Sequence, residues 1–164
     1  LYSSAYLPPI RQLLNFGGYT EGWATYVEMI SYSYAAEGKP DHEAAAIFLA
    51  QKQRSMMLGI SSLLDIFIHY YGFTRDNISH FLSEMGISSK TAANSIYDAA
   101  LESPANYLKY YLGYLTFLDL QDYCQQKWPD QFQLSDFHKR VLEIGPCQFP
   151  VLEKYLKLCY TDAL

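Results

Sequence analysis

Thr20-Glu21-Gly22-Trp23-Ala24-Thr25-Tyr26-Val27-Glu28 is the stretch of this chain best suited to chemistry. Glu21 and Glu28 stand seven residues apart at the start of an expected helix. That spacing is close to two turns, so both carboxylates fall on nearly one face. A glutamate held on a helix is the kind of oxygen ligand that a catalytic zinc site takes from a second helix. The usual partner is a His-Glu-x-x-His helix, and the sequence has none. The ordinary reading is local. Thr20 would cap the helix, Glu21 in the first turn would favour the positive end of its dipole, and Glu28 would be solvated or hydrogen-bonded.

Four histidines are the other groups that could ligate or move protons. His42, beside Asp41 and Glu43, and His80, on an amphipathic helix, read as surface residues. His69 follows the apolar run Leu63-Leu64-Asp65-Ile66-Phe67-Ile68, so it is expected to be partly buried. Asp65, four residues earlier on the same face, could orient or charge it; the plain alternative is a satisfied core histidine. His138, in Ser135-Asp136-Phe137-His138, falls in a helix's first turn, where its alternative is local capping chemistry. The sequence has no Gly-x-Ser-x-Gly elbow, phosphate loop or dinucleotide fingerprint. With these histidines scattered, a complete metal site within the chain would need an unusual ligand set.

The elements that must position these groups read as helices throughout. Their predicted spans are 9–15, 20–37, 41–71, 75–85, 89–101, 104–127, 135–144 and 149–160, and residues 1–7 read as the tail of another helix that Pro8 and Pro9 would end. Gly38, Gly72, Gly86 and Gly145 each follow a helical pattern, where a left-handed residue is wanted. Asp41, Thr74, Ser88 and Ser135 or Asp136 are the expected N-caps. Gly59 is a candidate kink in the long third helix. No repeat, low-complexity tract or linker divides residues 1–164, so one all-α domain or domain fragment is expected.

Composition agrees. The chain has 164 residues, half of them hydrophobic and 18% charged, as in a globular domain. Its net charge of -5 and lack of a basic run argue against nucleic acid as partner. No apolar stretch reaches transmembrane length, and the N-terminus lacks a signal-peptide pattern. The chain begins at Leu1 rather than Met, so it is expected to be a piece of a longer or processed protein. Cys124, Cys147 and Cys159 are sparse and odd in number and read as reduced thiols. Sixteen tyrosines suit a wet cleft as well as a core, each ring having an apolar body and a polar tip.

Gly18-Tyr19-Thr20-Glu21-Gly22-Trp23-Ala24-Thr25-Tyr26-Val27-Glu28 resembles the Glu-Gly-Trp-Ala-x-Tyr-x-Glu motif of the DUF885 family, bacterial proteins similar to gluzincin-type zinc peptidases. Further segments match in order. Asp65-Ile66-Phe67-Ile68-His69 resembles the family's Asp-Thr-Gly-Leu-His. Ser103-Pro104-Ala105-Asn106-Tyr107-Leu108-Lys109-Tyr110-Tyr111-Leu112-Gly113 resembles its Pro-Gly-Gln-Ala-x-x-Tyr-x-x-Gly. Phe137-His138-Lys139-Arg140-Val141-Leu142-Glu143-Ile144-Gly145 resembles its Phe-His-x-x-x-Leu-x-x-Gly. Two departures stand out: Leu58 and Ser61 occupy places where the family has arginines, and Ala105-Asn106 stand where it has Gly-Gln.

In that family a His-Glu-x-x-Pro-Gly-His helix precedes the Glu-Gly-Trp helix and would end close to Leu1. The resemblance therefore implies the all-α, C-terminal part of a gluzincin-like helical metallopeptidase. It implies Glu21 as third zinc ligand, completing a His-His-Glu set. Glu28 and Asp65 would be supporting residues around the ligands. His69 and Tyr110 would stabilise the oxyanion as water attacks a peptide carbonyl, and His138 would line or buttress the site. Zinc and a peptide substrate belong to the whole protein. The isolated chain is expected to be metal-free, catalytically silent and prone to self-association where the missing N-terminal helices leave an apolar face bare. The whole protein is expected to be exported or lipid-anchored. The competing reading is a stand-alone or degenerate helical module that holds a peptide or partner helix without catalysis.

Overall fold

A computed structural model describes residues 7–161, apart from the side chain of Gln12. Residues 1–6 of the expected helical tail therefore lie outside the described residues. The described chain is all-α, with no strand, in eight helices: α1 (Pro9–Leu13), α2 (Gly17–Ala36), α3 (Asp41–His69), α4 (Arg75–Glu84), α5 (Lys90–Glu102), α6 (Leu108–Lys127), α7 (Leu134–Ile144) and α8 (Phe149–Thr161).

Several helix starts differ from expectation. α2 begins at Gly17 rather than near Thr20, so Thr20 lies inside the helix, its N–H donating to the Phe16 carbonyl at 3.0 Å. Pro40, Ser89 and Gln133 hold the N-cap positions expected of Asp41, Ser88 and Ser135 or Asp136. Thr74 caps α4 as expected, with Asn77 completing a capping box. α6 starts at Leu108, because Ala105 takes a left-handed φ of 61° and holds residues 104–107 as a turn. α3 runs unbroken past Gly59, whose missing side chain admits the Tyr111 ring instead: a Cβ there would lie 3.3 Å from Tyr111 Cε1.

The contacts divide the chain into two compact units: one runs up to Val27 and resumes at Leu112, the other is Glu28–Tyr111. In the second, α3 and α4 both pack on α5. Ile60, Leu64 and Ile68, spaced by four, put one apolar stripe of α3 against Ile78 and Leu82 of α4 and Ala93 and Ala100 of α5. Gly72, at φ 68°, reverses the chain so that the Phe73 N–H reaches the Phe67 carbonyl at 2.9 Å. The Phe73 ring then stacks on Phe67 with centroids 4.9 Å apart.

In the other unit α7 packs on α8, and Phe137, Val141, Leu152 and Leu156 are buried with Phe117 and Leu120 of α6. Arg11 closes the C-terminal end of α7. Its Nη2 faces the carbonyls of Ile144, Gly145 and Pro146 at 2.8, 3.0 and 2.7 Å, at the helix's last residue and the two that follow it, where helical partners run out. The buried Tyr19 hydroxyl donates to the Val141 carbonyl at 2.7 Å.

Candidate functional site

Glu21 lies on α2, partly exposed, past the first turn of the helix. The dipole explanation drawn from a cap at Thr20 therefore does not hold. The next residue, Gly22, is pressed on α6: a Cβ on Gly22 would stand 2.5 Å from the Gly113 Cα, and one on Gly113 would strike the Gly18 carbonyl oxygen. Gly18 and Gly22, four apart, make a groove without side chains into which Gly113 fits. The backbone carrying Glu21 is set by this contact. Glu21 contributes its carbonyl to the Thr25 hydroxyl at 2.9 Å; no described side chain bonds its carboxylate.

One turn further, Trp23 and Tyr26 stack with centroids 5.2 Å apart, and each meets the His138 ring edge-on at 5.6 Å. The Tyr26 hydroxyl, fully buried, donates to Gln121 Oε1 and lies 3.0 Å from His138 Nε2. His138 Nε2 donates to the phenol oxygen or accepts from it according to the ring's tautomer. Burial holds the His138 pKa below its ordinary value, which favours the neutral ring. His138 is thus joined to the Trp23–Tyr26 part of the motif rather than to a local cap. The expectation for His138 left out Tyr26 and Gln121, and only the stacking-prone spacing of Trp23 and Tyr26 hinted at the cluster.

The remaining candidates lie in the Glu28–Tyr111 unit. Both oxygens of Glu28 face Arg54, at 2.9 Å from Nε and 3.3 Å from Nη2, a bidentate pair near the surface. Asp65 is 2% exposed; its Oδ1 accepts the Ala105 N–H at 3.0 Å and lies 4.0 Å from His69 Nε2. Among the described residues, nothing hydrogen-bonds its buried Oδ2. His69 Nε2 sits 3.0 Å from the Ala100 carbonyl, and Ser62 donates to the Tyr107 carbonyl at 3.3 Å. Ser62, Asp65 and His69 therefore form a polar stripe on α3 that ties down the end of α5 at Ala100 and the connection 103–107 to α6. Tyr110 follows that connection, with the Lys109 ammonium 5.3 Å above its ring. Asp65 thus acts mainly on the turn at Ala105, a partner the His69 pairing did not suggest.

His80 is a surface residue paired with Glu84 at 3.4 Å, and His42 is exposed. All three cysteines are free thiols; burial pushes Cys124 up to about 11 and raises Cys147. Among the described residues no group of three or more His, Cys, Asp and Glu side chains could hold a metal ion. Glu21 is one carboxylate without such a group around it among the described residues, so any metal it held would need its other ligands from elsewhere.

This arrangement defines an all-helical chain, over its described residues, whose motif-bearing helix is locked by glycines and carries a buried tyrosine against the half-buried His138. The chain belongs to the DUF885 family, described as "Bacterial protein of unknown function", whose profile matches residues 1–156. It is similar to the crystal structure of a protein described as "the putative lipoprotein from Colwellia psychrerythraea", with a TM-score of 0.80 and 25% identity over 96% of this chain. This chain spans 26% of that protein's length. Comparison with the curated proteins finds no significant match.

Proposed function

We propose that this chain is part of a zinc-dependent peptidase and that Glu21 is its contribution to the metal. The observation that carries this reading is the seating of Glu21. Family membership supports the motif, and the Gly22–Gly113 contact one residue away holds the carboxylate's helix in one place, as a metal ligand requires. The activity is proposed for the whole protein, of which this chain supplies one part; the similar solved protein is covered by it over 26% of its length. Zinc, when bound, would polarise a peptide carbonyl and acidify water. The residues of this chain serve it from their own positions. Glu21 offers an oxygen ligand. The neutral His138, held against Tyr26, buttresses the Glu21 helix and can accept a proton at its unprotonated ring nitrogen. Tyr110 is proposed, on the resemblance, as a donor to the oxyanion, and His69, whose Nε2 hydrogen is given to the Ala100 carbonyl, could donate there only from Nδ1, with Glu28 and Asp65 in support. The description of the similar solved protein as a "putative lipoprotein" supports an exported or lipid-anchored whole protein, and among the described residues no helix is long and apolar enough to cross a membrane.

The test uses the full-length protein. Its zinc content is measured by mass spectrometry and its hydrolysis of fluorogenic peptides is followed with and without a chelator. Glu21→Gln is expected to lose both bound zinc and turnover while keeping its far-ultraviolet circular dichroism. A folded Glu21→Gln protein that retains zinc and rate would overturn the assignment.

The second reading, a helical peptide-binding module without catalysis, is favoured by one feature, an apolar cavity in the Glu28–Tyr111 unit.

A further inference from the structure

Between α3, α4 and α5 lies a cavity of about 240 Å³. Met57, Ile60 and Leu64 of α3, at spacings of three and four, line one side of it, with Ile96 and Ala100 of α5 on another. No charged side chain lines it; its polar groups are Ser61, Ser95 and Tyr107. Leu64 and Ala100 are buried in the core, whereas Met57 is 47% exposed and Ser95 and Ala99 are exposed. The cavity therefore has an apolar base and a mouth that opens beside a serine. Its walls are held. Ala100 and Tyr107, both lining residues, each accept a hydrogen bond at the carbonyl from the α3 polar stripe, from His69 and Ser62.

The volume decides what fits. It exceeds the roughly 150 Å³ of an engineered apolar cavity that takes benzene. It falls short of the roughly 300–1,000 Å³ of pockets for drug-sized ligands or cofactors. One ring or one branched aliphatic chain is the right size. The uncharged lining rejects ionised groups, which would be stripped of water without a partner. The open mouth at Ser95 lets the group be attached to something polar outside. We propose that this cavity is a binding site for one uncharged apolar side chain, of leucine or phenylalanine type, presented by a peptide. The proposal stands apart from hydrolysis: it concerns binding, and it holds whether or not the bound peptide is cleaved.

The test is methyl NMR of the full-length protein, reading the δ1 methyls of Ile60 and Ile96 and the ε methyl of Met57. The probes are N-acetyl-phenylalaninamide, N-acetyl-leucinamide, N-acetyl-glycinamide and toluene. The first two are expected to shift these methyls saturably and the glycine amide to leave them unmoved. Ala99→Leu, which fills the mouth from an exposed position, is expected to weaken binding by about tenfold or more, with an unchanged melting temperature. If that variant does not fold, Ser95→Phe at the same exposed rim takes its place, with the same expectation. Absence of a saturable shift, equal shifts with the glycine amide, or undiminished binding in the filled variant overturns the proposal. Shifts with toluene alone overturn the occupant named, because the cavity would then hold a free hydrocarbon and exclude a peptide's side chain.

Discussion

Gly22 of α2 and Gly113 of α6 meet backbone to backbone, and neither position has room for a single methyl group. The atoms in the way are backbone, which cannot rotate aside as a side chain can. In an isolated helix alanine would be better than glycine at both places by about 1 kcal/mol. Here the crossing reverses that preference. Gly22→Ala and Gly113→Ala are each expected to destabilise the protein by about 1–3 kcal/mol, the usual cost of overpacking, read as a lowered urea midpoint. Gly59→Ala is the control, since the Tyr111 ring at 3.3 Å can give way. If Gly22→Ala is as stable as the wild type, the close crossing is wrong.

Ala105 is the described non-glycine residue with positive φ, at 61°. An L side chain in that region costs about 1–2 kcal/mol, while glycine brings a larger entropy loss on folding. The family's segment has glycine at this place. Ala105→Gly is expected to raise stability modestly, by about 0.5–1 kcal/mol, in chemical denaturation. A lowered midpoint would mean that the turn is not left-handed.

Asp65 holds that turn through the Ala105 N–H while its other oxygen stays buried. Asp65→Ala removes a buried hydrogen bond and orphans the amide, at an expected cost of about 1–3 kcal/mol. His69→Ala, removing a partner nearer the surface, should cost less. The order of the two unfolding midpoints checks this; a larger loss for His69→Ala would place the main anchor on the histidine.

His138 makes stability depend on pH. Burial lowers its folded pKa below the unfolded value near 6.5, so the unfolded chain binds more protons just below that pH. This contribution is present above about pH 6.5 and is lost as pH falls through the folded pKa. The urea midpoint is expected to decline on acidification across that window, and His138→Gln is expected to flatten the decline. An identical slope in the variant would show that His138 is not the group responsible.

Much of the helix layout was legible because it depends on neighbours within a few residues. The glycines at 38, 72, 86 and 145 all take positive φ, between 68° and 87°, and Thr74 caps α4 through Asn77 three positions on. Apolar spacing along α3 placed Leu64 and Ile68 inward for the same reason. The start of α2 was misread because Thr20 and Glu21 look like a cap and first turn, whereas Phe16 already accepts the Thr20 N–H. Resemblance of short motifs pointed to the family and to Glu21, Asp65, His69 and His138.

What residue order determined by itself, then, was the set of helices and the family they belong to. Tertiary structure decided which groups meet. Tyr26 reaches His138 across 112 positions, Asp65 reaches Ala105 across 40, and Gly22 finds Gly113 on another helix. No periodicity encodes these meetings. A cap or a stripe is satisfied by atoms a turn away, but a distant pair forms only where packed helices bring its members within bonding distance.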